Sequence, residues 1–295
     1  MTFQTVTETP MIYSQLQDRE FNNFKEIIYR EAGIKLSDLK KALVQARLSR
    51  RIRLLNLTSY DEYYEYLIEH YEDEKVHFIN SITTNKTEFF REKKHFDFMM
   101  DSALPAIEAS GANEIRIWSA GCSTGEEPYT IALTVLEYFG TRRKPVIKIL
   151  ATDIDTQVLE KAQAGIYTDD QTDTVPESLM QKYFLKKDSD GSLFYKVKDS
   201  VKQLVFFRHL NLHSEQYPMT KQFDIIFCRN VIIYFDKLMQ VKLFSRFRNY
   251  LKDTGYLMIG HSENISSITD DFILMGNTIY RKNSGYGMDM KKPGK

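Results

Sequence analysis

From Glu114 onward, short apolar runs alternate with stretches of helical spacing, and no other feature of this chain constrains its fold as much. Glu114–Ala120 reads as a strand, Glu126 to Phe139 as a helix, Val146–Ala151 as a strand running out at Asp153, and Thr156–Ala164 as a helix. Leu204–Leu210, Phe223–Cys228, Gly255–Ile259 and Phe272–Tyr280 supply further strands. Leu238, Val241, Phe244, Phe247 and Leu251 mark a helix over Asp236–Leu251. Strands that alternate with helices predict an α/β domain with a doubly wound, mostly parallel sheet buried on both faces. The alternation breaks between Gly165 and Val205. There Lys187–Gly191 reads as a turn between Tyr183–Leu185 and Leu193–Val197, so residues 167–205 are expected to form a small inserted β-subdomain.

Before Gly111 the pattern is helical. A first helix, Asp18 to Ala32, stops at Gly33. Between Lys35 and Arg53 the charges are basic except for Asp38, and Val44, Leu48, Ile52 and Leu55 recur as one apolar stripe. Lys40, Arg47, Arg50 and Arg51 fall on an adjacent face. From Asp61 to Glu74 the charges are all acidic, Ser59 can cap the helix, and Tyr60, Tyr63, Tyr64 and Leu67 supply its apolar side. The expected organisation is a helical domain over 1–80, a linker and helix over 81–110, the α/β domain over 111–282, and a frayed tail over 283–295.

The 295 residues carry 40 Lys+Arg against 40 Asp+Glu, a formal balance of zero that argues against a general nucleic-acid or membrane binder. Two cysteines, Cys122 and Cys228, exclude a disulfide framework. No apolar run approaches the roughly 20 residues of a membrane span. Met1–Gln17 lacks the basic-then-apolar pattern of a secretory leader. A monomeric cytoplasmic protein is the expectation.

Ligands of open α/β sheets bind at the carboxyl ends of the strands. The first such end is Ser119–Pro128, where Gly121 and Gly125 bracket a tight loop. It lacks the three-glycine dinucleotide pattern, and Glu126 and Glu127 stand where a pyrophosphate would want no negative charge. They favour a ligand with a cationic or hydroxyl-rich part. The second end is Ala151–Asp155. Asp153 is placed to grip ribose hydroxyls, and Asp155 to cap the following helix. The third is Phe227–Asn230, where Arg229 and Asn230 follow a buried run directly. The six histidines show no ligand spacing along the chain, and no metal site is expected.

Six segments now occur in order: Thr84–Arg91 (T-N-K-T-E-F-F-R), Trp118–Pro128, Ala151–Asp155, Asn211-Leu212, Phe227–Tyr234 and Gly260–Glu263. Together they resemble the bacterial chemotaxis receptor methyltransferases, the CheR family, over nearly the whole chain. The resemblance implies a Rossmann-like methyltransferase domain that uses S-adenosylmethionine and releases S-adenosylhomocysteine. It implies glutamate methyl esters on the cytoplasmic helices of methyl-accepting chemoreceptors as products, with neither nucleic acid nor membrane insertion involved. Carried over residue by residue, Asn85, Thr87 and Arg91 would line the methionine end of the donor. Glu126 or Glu127 would meet its charged part, next to Gly121. Asp153 would hold the ribose, Asn211 and Leu212 would flank the adenine, and Arg229 with Asn230 would close the pocket. Tyr234 would face the transferred methyl, and Arg91 would also orient the acceptor. The basic face of Lys40, Arg47, Arg50 and Arg51 would complement an acidic receptor helix, or pair with the acidic helix that follows it.

Other readings fit parts of the pattern. One is a methyltransferase of RNA or a small molecule; another is a non-catalytic module that senses S-adenosyl ligands. Cys122 and Cys228 follow strands expected to be neighbours, so a thiol modification that blocks the pocket is a further expectation, set against two small buried hydrophobes.

Overall fold

The computed structural model describes residues 15–189 and 192–283. Four helices form the first domain: α1 (Asp18–Ala32), α2 (Lys41–Leu54), α3 (Tyr60–Glu69) and α4 (Tyr71–Ile82). Their apolar stripes meet in one core that holds Phe24, Ile28, Leu48, Ile52, Tyr63, Leu67 and Phe78. Ser59 caps α3 as its position requires, its hydroxyl accepting from the Glu62 amide at 3.1 Å. The acidic stretch expected as one helix is two, broken at His70 (φ −109°, ψ 35°). The break turns Glu74 inward, where it accepts from the Tyr63 hydroxyl at 2.9 Å and from two nitrogens of Arg51.

Residues 83–93 are irregular, and helix starts again at α5 (Lys94–Phe98), passing through a π-helical turn into α6 (Leu104–Ala109). Asn85, Thr87 and Arg91 therefore lie on the linker and not on the helix expected within 81–110.

The second domain follows the predicted alternation: β1 (Glu114–Ala120), α7 (Glu126–Phe139), β2 (Val146–Asp153) and α8 (Thr156–Ala164). The insertion comes next, with β3 (Ile166–Thr168), α9 (Asp169–Thr172), α10 (Glu177–Tyr183), β4 (Phe184–Ser189), β5 (Ser192–Val197) and α11 (Asp199–Lys202). The core resumes with β6 (Val205–His209), β7 (Phe223–Cys228), α12 (Lys237–Tyr250), β8 (Leu251–Ile259), β9 (Phe272–Gly276) and β10 (Ile279–Lys282). The large sheet runs β6-β2-β1-β7-β8-β10-β9, parallel from β6 to β8 and antiparallel thereafter. Order reverses between β1 and β7, the switch point of a doubly wound sheet. Successive residues of the central strands feed opposite layers. Ile117, Ile225 and Phe227 pack under α7, and Trp118, Ile226 and Cys228 under α12.

The insertion is a three-stranded antiparallel sheet, β3-β5-β4, so the expected hairpin gains a third strand. The last run, expected as one strand, is a hairpin. Gly276, Asn277 and Thr278 all take positive φ and reverse the chain. The expected tail, apart from Asn283, lies outside the described residues. Among the described residues no helix is long and apolar enough to cross a membrane.

The two domains meet through backbone as well as side chains. Ile34 bridges Phe235, and the Lys35 amide donates to the Tyr234 carbonyl at 2.8 Å. Asn80 donates to Thr156 at 3.0 Å, and Thr83 to Asp155 at 2.9 Å.

Candidate active site

Where the strand order reverses, a cavity of about 390 Å³ opens between the sheet ends and the helical domain. Each strand end contributes to it. After β1, Gly121 sits at φ +87°, and a Cβ there would lie 2.5 Å from a methyl of Val231. Only glycine lets this loop approach the loop after β7 so closely. The amides of Gly121 and Cys122 both donate to the Thr152 carbonyl, at 2.8 and 2.9 Å.

The two acids part company here. Glu127 lines the cavity and accepts from Ser119 Oγ and Arg229 Nε, each at 2.6 Å. Glu126 turns away from the cavity to accept from the Thr124 hydroxyl at 2.7 Å, and burial raises its carboxyl above the usual range. Of the expected pair, only Glu127 is placed to meet a ligand.

After β2, Asp153 is buried with one oxygen accepting from the Ser123 amide (2.8 Å) and the other from the Asp155 amide (3.0 Å). Burial raises its pKa, and these amides oppose the rise. Its backbone contacts orient the carboxylate and leave lone pairs for hydroxyl donors. Asp155 caps α8 as predicted and also holds Asn85, whose amide donates to it at 2.7 Å. Asn85, Thr87 and Arg91 all line the cavity. Asn211 and Leu212 line it after β6, the Asn211 amide donating to the Glu31 carbonyl at 2.6 Å.

Arg229 and Asn230 line the cavity after β7. Arg229 is buried, and besides Glu127 it donates to the Arg91 carbonyl at 2.5 Å. Its guanidinium also lies over the rings of Phe96 and Phe227. One side of it meets a group that sequence spacing concealed. Glu92, His95 and His261 bring their ligand-type atoms within 4.8 Å of one another. Arg229 Nη1 lies against two of them, 3.5 Å from Glu92 and 3.4 Å from His95 Nδ1. The guanidinium thus already supplies a cation to this cluster. Burial, with Arg229 close by, pushes His95 down to about 4, so its ring is neutral near pH 7. For Glu92, burial pushes the other way, but the His261 amide and Arg229 carry the net shift downward. The signal available beforehand was small: Glu92 directly follows Arg91, and His261 sits in the Gly260–Glu263 segment.

The helical domain forms the outer lip. Lys40 and Arg47 line the cavity, as does Tyr234. Arg47 is anchored to the Ile82 carbonyl and, at 2.9 Å, to Thr84. Arg50 is exposed on α2. Arg51 leaves the expected basic face for the paired arrangement with Glu74, which is only 2% exposed. Cys122 and Cys228 are fully buried, and burial pushes both thiols well above their ordinary pKa. That is the small-hydrophobe reading, not the reactive-thiol one.

The residues at the cavity fit a ligand with hydroxyls and a positive charge: two carboxylates, Glu127 and Asp153, line it, with no loop of the phosphate-binding kind. Comparison with known proteins agrees. Residues 85–281 match the family described as CheR methyltransferase, SAM binding domain, and residues 19–83 match CheR methyltransferase, all-alpha domain. A chemotaxis protein methyltransferase of Borreliella burgdorferi is 42% identical over 270 residues, 90% of this chain and 94% of that protein. One from Escherichia coli is 42% identical over 266 residues, covering 90% and 91%. Chemotaxis protein methyltransferase 2 of Pseudomonas aeruginosa is 39% identical over 279 residues, covering 94% and 98%.

Proposed function

From the premise that this chain belongs to the CheR methyltransferase family and is an S-adenosylmethionine-dependent methyltransferase, we propose that it esterifies glutamate side chains in the cytoplasmic helices of chemoreceptors. The observation that carries the proposal is the single cavity in which Arg91, Glu127, Asp153 and Tyr234 meet beneath the basic lip of Lys40 and Arg47.

Held there, S-adenosylmethionine supplies a methyl group already activated on a sulfonium. In this reading Glu127 faces its cationic amino-acid part, Asp153 its ribose hydroxyls, and Asn211 with Leu212 its adenine. Asn85 and Thr87 line the methionine end. The chain's remaining task is alignment. A glutamate has an unperturbed pKa near ~4.3, so it arrives ionised and needs no general base. Holding acceptor and donor in line accounts for roughly 7–11 kcal/mol of barrier. Arg91 orients the acceptor carboxylate by charge-assisted hydrogen bonds. It acts by position, because a tight ground-state pair would slow transfer. Tyr234 faces the transferred group. Lys40, Arg47 and Arg50 draw in an acidic receptor helix, a steering effect that salt screens.

The test is transfer of tritiated methyl from S-adenosylmethionine to a receptor cytoplasmic fragment, to RNA, or to no acceptor. Base-labile label on receptor alone supports the proposal. Base-stable label, or label on RNA, favours another methyltransferase. Donor binding without any transfer favours a sensing module.

A further inference from the structure

We infer that Glu263 is a positioning residue for methyl transfer: its buried carboxylate holds the loop that carries Arg229, Asn230 and Tyr234. The inference rests on the reading that this cavity performs methyl transfer. Glu263 is 4% exposed and does not line the cavity. It belongs to the Gly260–Glu263 segment, of which only His261 has entered the site as described above.

The geometry is that of a carboxyl held in a ring of amides, which oppose the rise in pKa that burial imposes on it. One oxygen of Glu263 accepts from the Asn230 amide at 3.0 Å and the Gly260 amide at 2.6 Å. The other accepts from the Ile232 amide at 3.1 Å. Two of these amides belong to the loop after β7, which is demanding backbone. Asn230 takes φ +59°, and the single 3-10 turn Ile232–Tyr234 follows at once. The first amides of such a turn have no partner within it. A carboxylate meets them with charge-assisted bonds, stronger than those of a neutral acceptor. A left-handed non-glycine residue persists only where its surroundings over-determine it. Glu263 supplies part of that determination from behind.

Gly260 shows how closely the two loops fit. A Cβ there would lie 2.9 Å from the Asn230 nitrogen, 2.5 Å from its side-chain amide and 2.9 Å from Glu263 itself. The second wall of the clamp is Glu92, which accepts from the His261 amide at 3.1 Å and lies 3.5 Å from both Asn230 Nδ2 and Arg229 Nη1. Asn230 is thus held between two carboxylates, Arg229 is held by Glu92 and Glu127, and Tyr234 is carried on the turn that Glu263 starts.

The experiment compares wild type, Glu263→Gln and Gly260→Ala as full-length proteins. It measures kcat and KM for receptor methylation, the Kd of S-adenosylhomocysteine by calorimetry, and thermal unfolding. Glutamine keeps the shape of Glu263 but presents an NH2 to at least one amide of the ring. The expected result is a kcat lower by roughly 10- to 100-fold, the cost of misplacing groups by a fraction of an ångström to an ångström, with a folded protein and a smaller change in Kd. Gly260→Ala presses on the same loop and on the carboxylate from outside while leaving Glu263 chemically intact, and the same kcat-weighted defect is expected. Wild-type kcat in folded Glu263→Gln overturns the inference. So does a kcat loss fully matched by the unfolded fraction. If Glu263→Gln does not fold, wild-type kcat in Gly260→Ala overturns it. A wild-type enzyme that transfers no methyl overturns the underlying reading instead, and the inference with it.

Discussion

Replacing Arg91 with alanine separates chemistry from stability more cleanly than any other change at this site. Among the described residues Arg91 forms no ion pair, and its side chain makes one hydrogen bond, from Nη1 to the Lys86 carbonyl at 3.0 Å. Losing that bond costs about 0.5–1.5 kcal/mol. At ~2–4 °C per kcal/mol for a domain of this size, Tm falls by roughly 1–6 °C. The catalytic loss is far larger if Arg91 holds the acceptor carboxylate. Misplacing a reacting group by about 1 Å costs roughly 10²-fold in kcat, or ~2.7 kcal/mol. Donor affinity shifts less, because a group acting on the acceptor shows itself in kcat and kcat/KM and not in donor binding. The assay is steady-state tritiated-methyl transfer to a receptor fragment, with calorimetry of S-adenosylhomocysteine and a thermal melt on the same preparation. Wild-type kcat in the folded variant refutes the reasoning, as does a weakening of by-product binding as large as the loss of kcat.

Other expectations follow from placements within the fold. Among the described residues, Arg51→Ala leaves the buried Glu74 with Tyr63 as its remaining hydrogen-bond partner. It should cost roughly 2–4 kcal/mol, somewhat under a fully buried pair because Arg51 is partly exposed; denaturant unfolding checks this. Arg50→Glu, on the exposed side of the same helix, should leave stability within about 0.5 kcal/mol and raise receptor KM at low salt. Unchanged KM there removes α2 from the recognition scheme. His95 sits at about 4 in the folded protein, facing Arg229, Glu92 and His261, against ~6.5 when unfolded. The unfolded chain takes its proton first as pH falls, so stability should drop between about pH 6.5 and pH 4, by at most roughly 3 kcal/mol from this group. His95→Gln should flatten that part of the stability–pH curve, and an unaltered slope contradicts the assignment. Tyr167→Phe deletes the 2.8 Å bond from the insertion to the Thr124 carbonyl in the loop after β1. It should weaken S-adenosylhomocysteine binding a few-fold, about 1 kcal/mol, while leaving receptor KM alone.

Much of this architecture was legible because the constraints are local. Buried parallel strands are near-continuously apolar, and Phe223–Cys228 reads as one with a single exception, Asp224, which is buried with the Arg116 amide and Lys252 as partners. Asp155 announces the start of α8 because only a short acceptor before a helix satisfies its free amides. The misses share a different cause. Glu126 and Glu127 are adjacent on one helix turn, and only the packing of α7 against the sheet decides which faces the cavity. Arg50 and Arg51 are neighbours in the same way, and the break at His70 decides which of them finds Glu74. His95 and His261 lie far apart along the chain and meet only because the sheet ends bring α5 beside the loop after β8. The hairpin over 272–282 did leave a sign, Gly276-Asn277, a pair suited to left-handed turns inside an otherwise apolar run.

A crystal structure of the protein with S-adenosylhomocysteine tests whether this cavity is the donor site. The by-product is expected in the cavity between the two domains, ribose against Asp153, amino-acid part toward Glu127, and sulfur toward Tyr234 with a path left open to Arg91 and α2. Binding elsewhere on the protein contradicts the account, and so does a sulfur walled off from that path.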